Sequence, residues 1–179
     1  MYRIIGRPTK EIRRYLKAGQ NVLYTGSIYT ARDQAHKRLL DAIKKKKKLP
    51  IDLKDAIIYY TGPTPSRRKN RVGSAGPTTS SRMDKFTPEL LRHGVAALIG
   101  KGDRSLEVVK AIKKNHAVYF VAVGGAGAYL SERIIHAYPV CYKDLGSEAI
   151  FHMDVEDFPL IVAVDAHGNN IFDNLRGVK

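Results

Sequence analysis

An α/β fold is predicted by three features of the sequence. Apolar runs of strand length alternate with stretches of helical periodicity. Val95 to Ile99, a helix with Leu106, Val109 and Ile112 in register, and Ala117 to Val123 follow with short links. That strand–helix–strand order predicts a parallel pair joined by a right-handed crossover. The chain's 179 residues, 44% of them hydrophobic, are enough for one compact domain with a sizeable core. The expectation is an α/β architecture with some mixed strands, in a single domain spanning residues 1–179.

The elements follow in order. Thr9 can cap a short helix, Lys10 to Leu16, that stops near Gly19. Asn21 to Tyr29 reads as a strand because Val22, Tyr24 and Ile28 partly alternate. From Thr30 the pattern turns helical, with Ala35, Leu39 and Ala42-Ile43 on one stripe, and Leu49-Pro50 ends it. Ala56 to Tyr60 is a second strand. Gly62 to Asn70 is polar, basic and punctuated by proline, so it reads as a surface loop or a basic flap. Thr87-Pro88-Glu89 opens a helix that Gly94 closes, and Asp103 caps the next one. Gly124 to Ile135 reads as a further helix and Leu160 to Val164 as a buried strand.

Composition bounds the function. No apolar run approaches the length needed to cross a bilayer, and the amino-terminal residues lack the apolar stretch of a secretory signal, so a cytoplasmic location is expected. The single cysteine, Cys141, cannot form an internal disulfide or hold an iron–sulfur cluster, which needs several thiolates. The net charge of +14 attracts anions without choosing among nucleic acid, acidic lipid, an acidic partner or a small anionic substrate. Lys44 to Lys48 ends a helix, where cations suit the dipole. Most tyrosines lie in apolar runs rather than on a stacking platform, which argues against nucleic acid.

Four segments carry candidate chemistry. In Gly76-Pro77-Thr78-Thr79-Ser80-Ser81-Arg82-Met83-Asp84 a strand ends and hydroxyl residues meet a helix start, a place that suits carboxylate or phosphate. If the first turn is helical, Thr78 and Arg82 share a face; ordinary capping is the competing reading. Arg32 and His36, four apart just after a strand and so on one helix face, form a second cluster in which an arginine could clamp a carboxylate; a salt bridge and a structural histidine are the alternative. Lys101, between Gly100 and Gly102, lies just past a buried strand, and the flanking glycines would let a substrate approach the backbone. Val123-Gly124-Gly125-Ala126-Gly127 matches a dinucleotide fingerprint only in part, with Leu130 in the third glycine position, and close helix–strand packing explains it as well. The histidines show no metal-ligand spacing.

Taken in series, Arg32-Asp33-x-Ala35-His36, Gly76-Pro77-Thr78-Thr79-Ser80-x-Arg82-Met83-Asp84, Gly100-Lys101-Gly102, Val123-Gly124-Gly125-Ala126 and Val164-Asp165-x-His167-Gly168-Asn169-Asn170 resemble the β subunit, or carboxy-terminal domain, of class I fumarases and L-tartrate dehydratases. The Gly-Pro-Thr-Thr-Ser-x-Arg-Met-Asp block is the specific one. The resemblance implies a three-layer swivelling β/β/α domain. It also implies an active site at the junction with a cysteine-bearing α subunit that carries a [4Fe-4S] cluster, in a heterotetramer of two α and two β subunits. Arg32, Arg82 and Lys101 would bind a small dicarboxylate and Thr78 would act as base, with an acidic group of the α part as its counterpart.

Three cations suit a dianion such as malate, and neutral threonine needs nearby cations to serve as a base. Met83-Asp84 and Gly102-Asp103-Arg104-Ser105 look more like the fumarase branch than the tartrate branch. The competing classes are a basic nucleic-acid-binding domain, which leaves the threonine-rich block unexplained, and a nicotinamide-dependent oxidoreductase resting on Gly125-x-Gly127.

Overall fold

Ile57-Ile58-Tyr59-Tyr60 shows no polar alternation because both faces of its strand are buried. In the computed structural model, which describes residues 1–123 and 125–173, Ile57 and Tyr59 enter one hydrophobic cluster and Ile58 and Tyr60 another. The same division splits Ala97 and Ile99 from Leu98, and Val118 and Phe120 from Tyr119. Parallel strands covered on both sides are expected to read as unbroken apolar runs.

The elements are β1 (Tyr2–Ile5), α1 (Lys10–Tyr15), β2 (Asn21–Thr30), α2 (Asp33–Lys44), β3 (Ile57–Tyr59), a 3-10 turn (Ser80–Met83), α3 (Thr87–Arg92), β4 (Ala97–Gly100), α4 (Leu106–Asn115), β5 (Val118–Val121), α5 (Gly127–Glu132), β6 (Ile134–Cys141), a second 3-10 segment (Lys143–Glu148) and β7 (Ile150–Val164). Strands β1 to β5 pair in parallel in the order β1-β2-β3-β4-β5, and β7 runs antiparallel to β5, β6 and β2. Because β7 joins β5 back to β2, strands β2-β3-β4-β5-β7 close into a barrel. Two long strands make closure possible by changing partners along their length. One edge of β2 takes β1 at Val22–Thr25 and β3 at Tyr29–Thr30. One edge of β7 takes β6 at Ile150–Val155 and β5 at Ile161–Val164.

The barrel interior holds Val22, Tyr24, Ile28, Met153, Val155, Phe158 and Val162. Helices α2, α3 and α4 cover the outer face with Ala35, Leu39, Leu90, Leu91, Val108 and Ile112. Thr9 caps α1 as expected, its hydroxyl accepting from the Ile12 amide. No helix among the described residues is long and apolar enough to cross a membrane.

Several sequence expectations are corrected. The cap of α4 is Ser105, whose hydroxyl accepts from the Val108 amide. Asp103 instead accepts from the Arg104 amide and from the Asn170 side chain. The helix expected over Gly124 to Ile135 is the single short α5; Gly124 itself lies outside the described residues, and Ile134 already begins β6. Pro139 masks β6 in the sequence but is tolerated because β6 lies at the end of the strand order, with β7 its only paired neighbour among the described strands. The strand expected over Leu160 to Val164 is only the end of β7. Its first half alternates Met153 and Val155 inward with His152, Asp154 and Glu156 outward, the mark of a strand covered on one face.

His36 does not share a helix face with Arg32. Arg32 is the extended N-cap of α2, while His36 is fully buried beside Tyr60 and Phe86. Its Nδ1 pairs with the Arg32 carbonyl at 2.8 Å. Burial pushes the imidazole from 6.5 down to about 4. The unfolded chain takes up that proton near 6.5, so the stability supplied by the neutral ring is complete above about pH 6.5 and is lost as pH falls toward 4. Ring signals of His36 in an NMR titration are expected to stay in the neutral form at pH 5.5. Titration near 6.5 in the folded protein would contradict the buried, neutral assignment.

Candidate functional site at the ends of the parallel strands

Parallel strands deliver their carboxyl ends to one rim, and in open α/β sheets ligands gather at such a rim. Here β2 leads into Arg32-Asp33, β3 into Thr61-Gly62 and β4 into Lys101. The Thr78–Arg82 segment has no strand of its own and reaches the same rim by docking onto β3 and β4. The Thr61 hydroxyl donates to the Gly76 carbonyl at 2.7 Å, and the Thr78 amide donates to Tyr60 at 2.7 Å. The Ser80 amide donates to the Lys101 carbonyl at 3.0 Å, and the Lys101 amide donates to the Ser80 hydroxyl at 3.1 Å. Thr79 and Lys101 form an isolated parallel bridge.

Gly100 makes this docking possible. A Cβ there would lie 1.9 Å from Ser80 Oγ. Its role is to admit the neighbouring loop, which corrects for Gly100 the expectation that the glycines around Lys101 let a substrate approach; a Cβ at Gly102 would meet nothing within 4 Å. Tyr119 fixes the other side, its hydroxyl 2.9 Å from Ser80 Oγ and 2.8 Å from the Gly102 carbonyl.

The structure thus brings Arg32, Thr78, Arg82 and Lys101 to one end of the barrel. Thr78 and Arg82 do not share a helical face, because the turn is 3-10 and begins only at Ser80. Thr78 is half-buried, and its hydroxyl has no hydrogen-bond partner among the described residues. Lys101 is exposed and has no ion pair among the described residues. Arg82 is gripped by Asp33, with Nε to Oδ1 at 3.2 Å and Nη2 to Oδ2 at 2.7 Å. Arg32 packs its guanidinium over Gly62, where a Cβ would come within 2.8 Å of Nη1. Its Nη2 stands 3.8 Å from Glu148, and its buried Nε has no partner among the described residues.

Glu148 has a second task. The N-cap of α2 has no side-chain hydrogen bond, and Glu148 supplies one from across the fold by accepting the Gln34 amide at 3.0 Å. A carboxylate at a helix N-terminus is favoured by the helix dipole. Nothing in the local sequence marked Glu148, which lies far from Arg32 along the chain. Asp33 was visible only as a member of the Arg32-Asp33 pair.

Beneath the loop lies Arg104, wholly buried between Tyr60 and Tyr119, its guanidinium carbon 5.3 and 4.9 Å from their ring centres. Asp84 accepts from its Nε at 2.7 Å and from the Ser105 amide at 2.7 Å, while Thr87 accepts from Nη2. Asp84 and Asp103-Arg104-Ser105, read in the sequence as fumarase-like, therefore meet around the buried Arg104. The Asp165 motif is structural as well: its carboxylate accepts the amides of Ala18, His167 and Asn169 and closes a turn. Gly127 packs closely against Gly76 of a loop rather than against a strand, and a Cβ at Gly125 would meet nothing within 4 Å, so of the described glycines in this run only Gly127 serves close packing.

Cys141 ends β6, half-buried, with burial pushing its thiol up to about 11. Among the described residues no group of three or more His, Cys, Asp or Glu is placed to hold a metal. The basic flap borders a cleft of about 550 Å³ lined by Ser66, Arg68, Arg71 and Glu132, separate from the rim. The rim itself is an open shelf, with half of the Arg82 side chain exposed.

Residues 5–175 match the family described as Fumarase C-terminus. A relative from Methanocaldococcus jannaschii, provisionally named L(+)-tartrate dehydratase subunit beta, is 38% identical over 174 residues, covering 94% of this chain and 89% of that protein. The anaerobic class I fumarate hydratase of Escherichia coli is 39% identical over 96% of this chain, and the mitochondrial fumarate hydratase 1 of Leishmania major is 36% identical over 96%. This chain spans about a third of those two fumarate hydratases, 32% in each case. Fumarate hydratases and tartrate dehydratases are hydro-lyases, enzymes that add or remove water. The chain belongs to the fumarase carboxy-terminal family.

Removing one partner of a buried ion pair leaves the other charge uncompensated, at a cost of about 3–5 kcal/mol. Asp84→Ala is therefore expected to lower the unfolding free energy by about that amount in denaturant titrations. A change below about 1 kcal/mol would show that the Arg104 support is not needed.

Proposed function

We propose that this chain is the β subunit of an iron–sulfur hydro-lyase that reversibly dehydrates L-malate to fumarate. One observation carries the reading. Arg32, Arg82 and Lys101, from separate parts of the sequence, meet at one barrel rim beside a threonine whose hydroxyl has no partner among the described residues. The family match supports the reaction class.

The assigned roles follow from charge. The guanidiniums of Arg32 and Arg82 and the ammonium of Lys101 bind the two carboxylates of the substrate and offset the charge that develops as the C–H bond breaks. Thr78 Oγ takes the proton from the carbon next to the one bearing the departing hydroxyl. In this reading the ammonium of Lys101 lowers the cost of a negative oxygen at Thr78.

A [4Fe-4S] cluster does not fit this chain, whose only cysteine is a half-buried strand residue with a raised pKa. In this reading the cluster sits on a cysteine-bearing α subunit, and the open shelf is the surface that subunit covers. Residues 1–179 act as one swivelling three-layer unit in a cytoplasmic assembly of two α and two β subunits, with no role for nucleic acid or membrane.

A second reading, L-tartrate dehydration to oxaloacetate, is favoured by the relative matched almost end to end under that name. Assays of the chain joined to a cysteine-bearing α subunit under anaerobic conditions separate the two. Faster turnover of L-malate supports the first reading and faster turnover of L-tartrate the second; turnover of neither rejects both.

Arg82→Ala is expected to lower kcat/KM on the order of 10²-fold. Thr78→Ala is expected to lower kcat by about 10²–10⁴-fold while KM changes little. Unchanged kinetics in either variant would remove that residue from the site.

A further inference from the structure

We propose that Asp33 is the positioning residue for Arg82, holding one edge of the guanidinium so that the other faces the substrate. The inference rests on the assignment of Arg82 as a substrate-binding group. A guanidinium carries five N–H donors in a fixed planar fork. Asp33 takes the edge made by Nε and Nη2, at 3.2 and 2.7 Å. Nη1 has no hydrogen-bond partner among the described residues, so the edge formed by Nη1 and the second Nη2 hydrogen stays open to a carboxylate. Two parallel bonds on each edge let Arg82 bind Asp33 and a substrate carboxylate at once.

Asp33 is itself well placed to hold still. It is the first residue of α2, where the helix dipole favours a carboxylate, and that helix is anchored through buried Ala35, His36 and Leu39. Arg82 lies in a four-residue 3-10 turn and is half exposed, so its own segment fixes its side chain poorly. The bond to Asp33 spans 49 residues of sequence and ties the loop from β3 to the end of β2. A competing role is available, in which Asp33 blocks Arg82 and must release it before substrate enters. The geometry favours positioning, because the contact leaves a complete edge of the fork open.

The two roles predict opposite signs. In the assembled enzyme, positioning requires Asp33→Asn to raise KM for the hydroxy-diacid up to about tenfold, since ordering one flexible side chain costs that much, with a smaller change in kcat. The double variant Asp33→Asn with Arg82→Ala should have the KM of Arg82→Ala alone, because Asp33 acts only through Arg82. A lowered KM in Asp33→Asn would overturn the proposal in favour of a blocking contact. An additive effect in the double variant would overturn it in favour of a separate role.

A readout independent of turnover keeps this distinct from the functional reading. In the isolated chain, the Arg82 Nε–H NMR signal is expected to be protected from exchange in the wild type and unprotected in Asp33→Asn. Protection unchanged by the substitution would overturn the clamp even if the complex is active. If the signal responds as expected but no hydroxy-diacid is turned over, the clamp stands as a feature of the fold and its role in positioning for a substrate is rejected together with the functional reading.

Discussion

The docking of Ser80 onto Lys101 is the contact on which the rest of the site depends. Two hydrogen bonds, at 3.0 and 3.1 Å, add the 78–82 loop to the end of β4 as a short parallel extension. Only glycine at position 100 permits it, because any Cβ would collide with the Ser80 hydroxyl. Through this contact a loop without strand or α-helix of its own acquires the position of the barrel rim. Thr78, Arg82 and Lys101 then share one location although they come from two chain segments.

The surrounding polar groups serve that placement. Arg104, Asp84 and Thr87 form a buried charged floor beneath the loop, closed above by the rings of Tyr60 and Tyr119. Buried charge is costly unless it is paired and hydrogen-bonded, and the buried Arg104 pairs with Asp84 and donates to Thr87, each at 2.7 Å. On the rim, Asp33 and Glu148 stand against Arg82 and Arg32. The two arginines proposed to grip substrate are thus held by carboxylates on or beside the first turn of one helix, while Lys101 has no ion pair among the described residues.

The parallel core was legible in the sequence because burial on both faces leaves no alternation to misread. Ile57 to Tyr60, Ala97 to Ile99 and Val118 to Val121 show it. The antiparallel half was not. Pro139 in β6 disguised one strand, and charged residues on the outer face of β7 hid its first ten residues. The candidate site residues were picked out through the series of short motifs rather than through any periodicity. Their assembly was not, because it rests on long-range pairings such as Thr78 with Tyr60 and Glu148 with Gln34. The helical relation between Thr78 and Arg82 failed for a local reason: the backbone turns as a 3-10 segment that starts after Thr78.

In the proposed site, three cations and one threonine act together on a single dicarboxylate at this rim. A crystal structure of the assembled enzyme with a non-reactive hydroxy-diacid analogue tests it most directly. Carboxylate oxygens are expected within roughly 2.7–3.2 Å of Arg32, Arg82 and Lys101 nitrogens, with the Thr78 hydroxyl facing the carbon chain. A dicarboxylate bound elsewhere, or one held at the rim with Thr78 turned away, would contradict it.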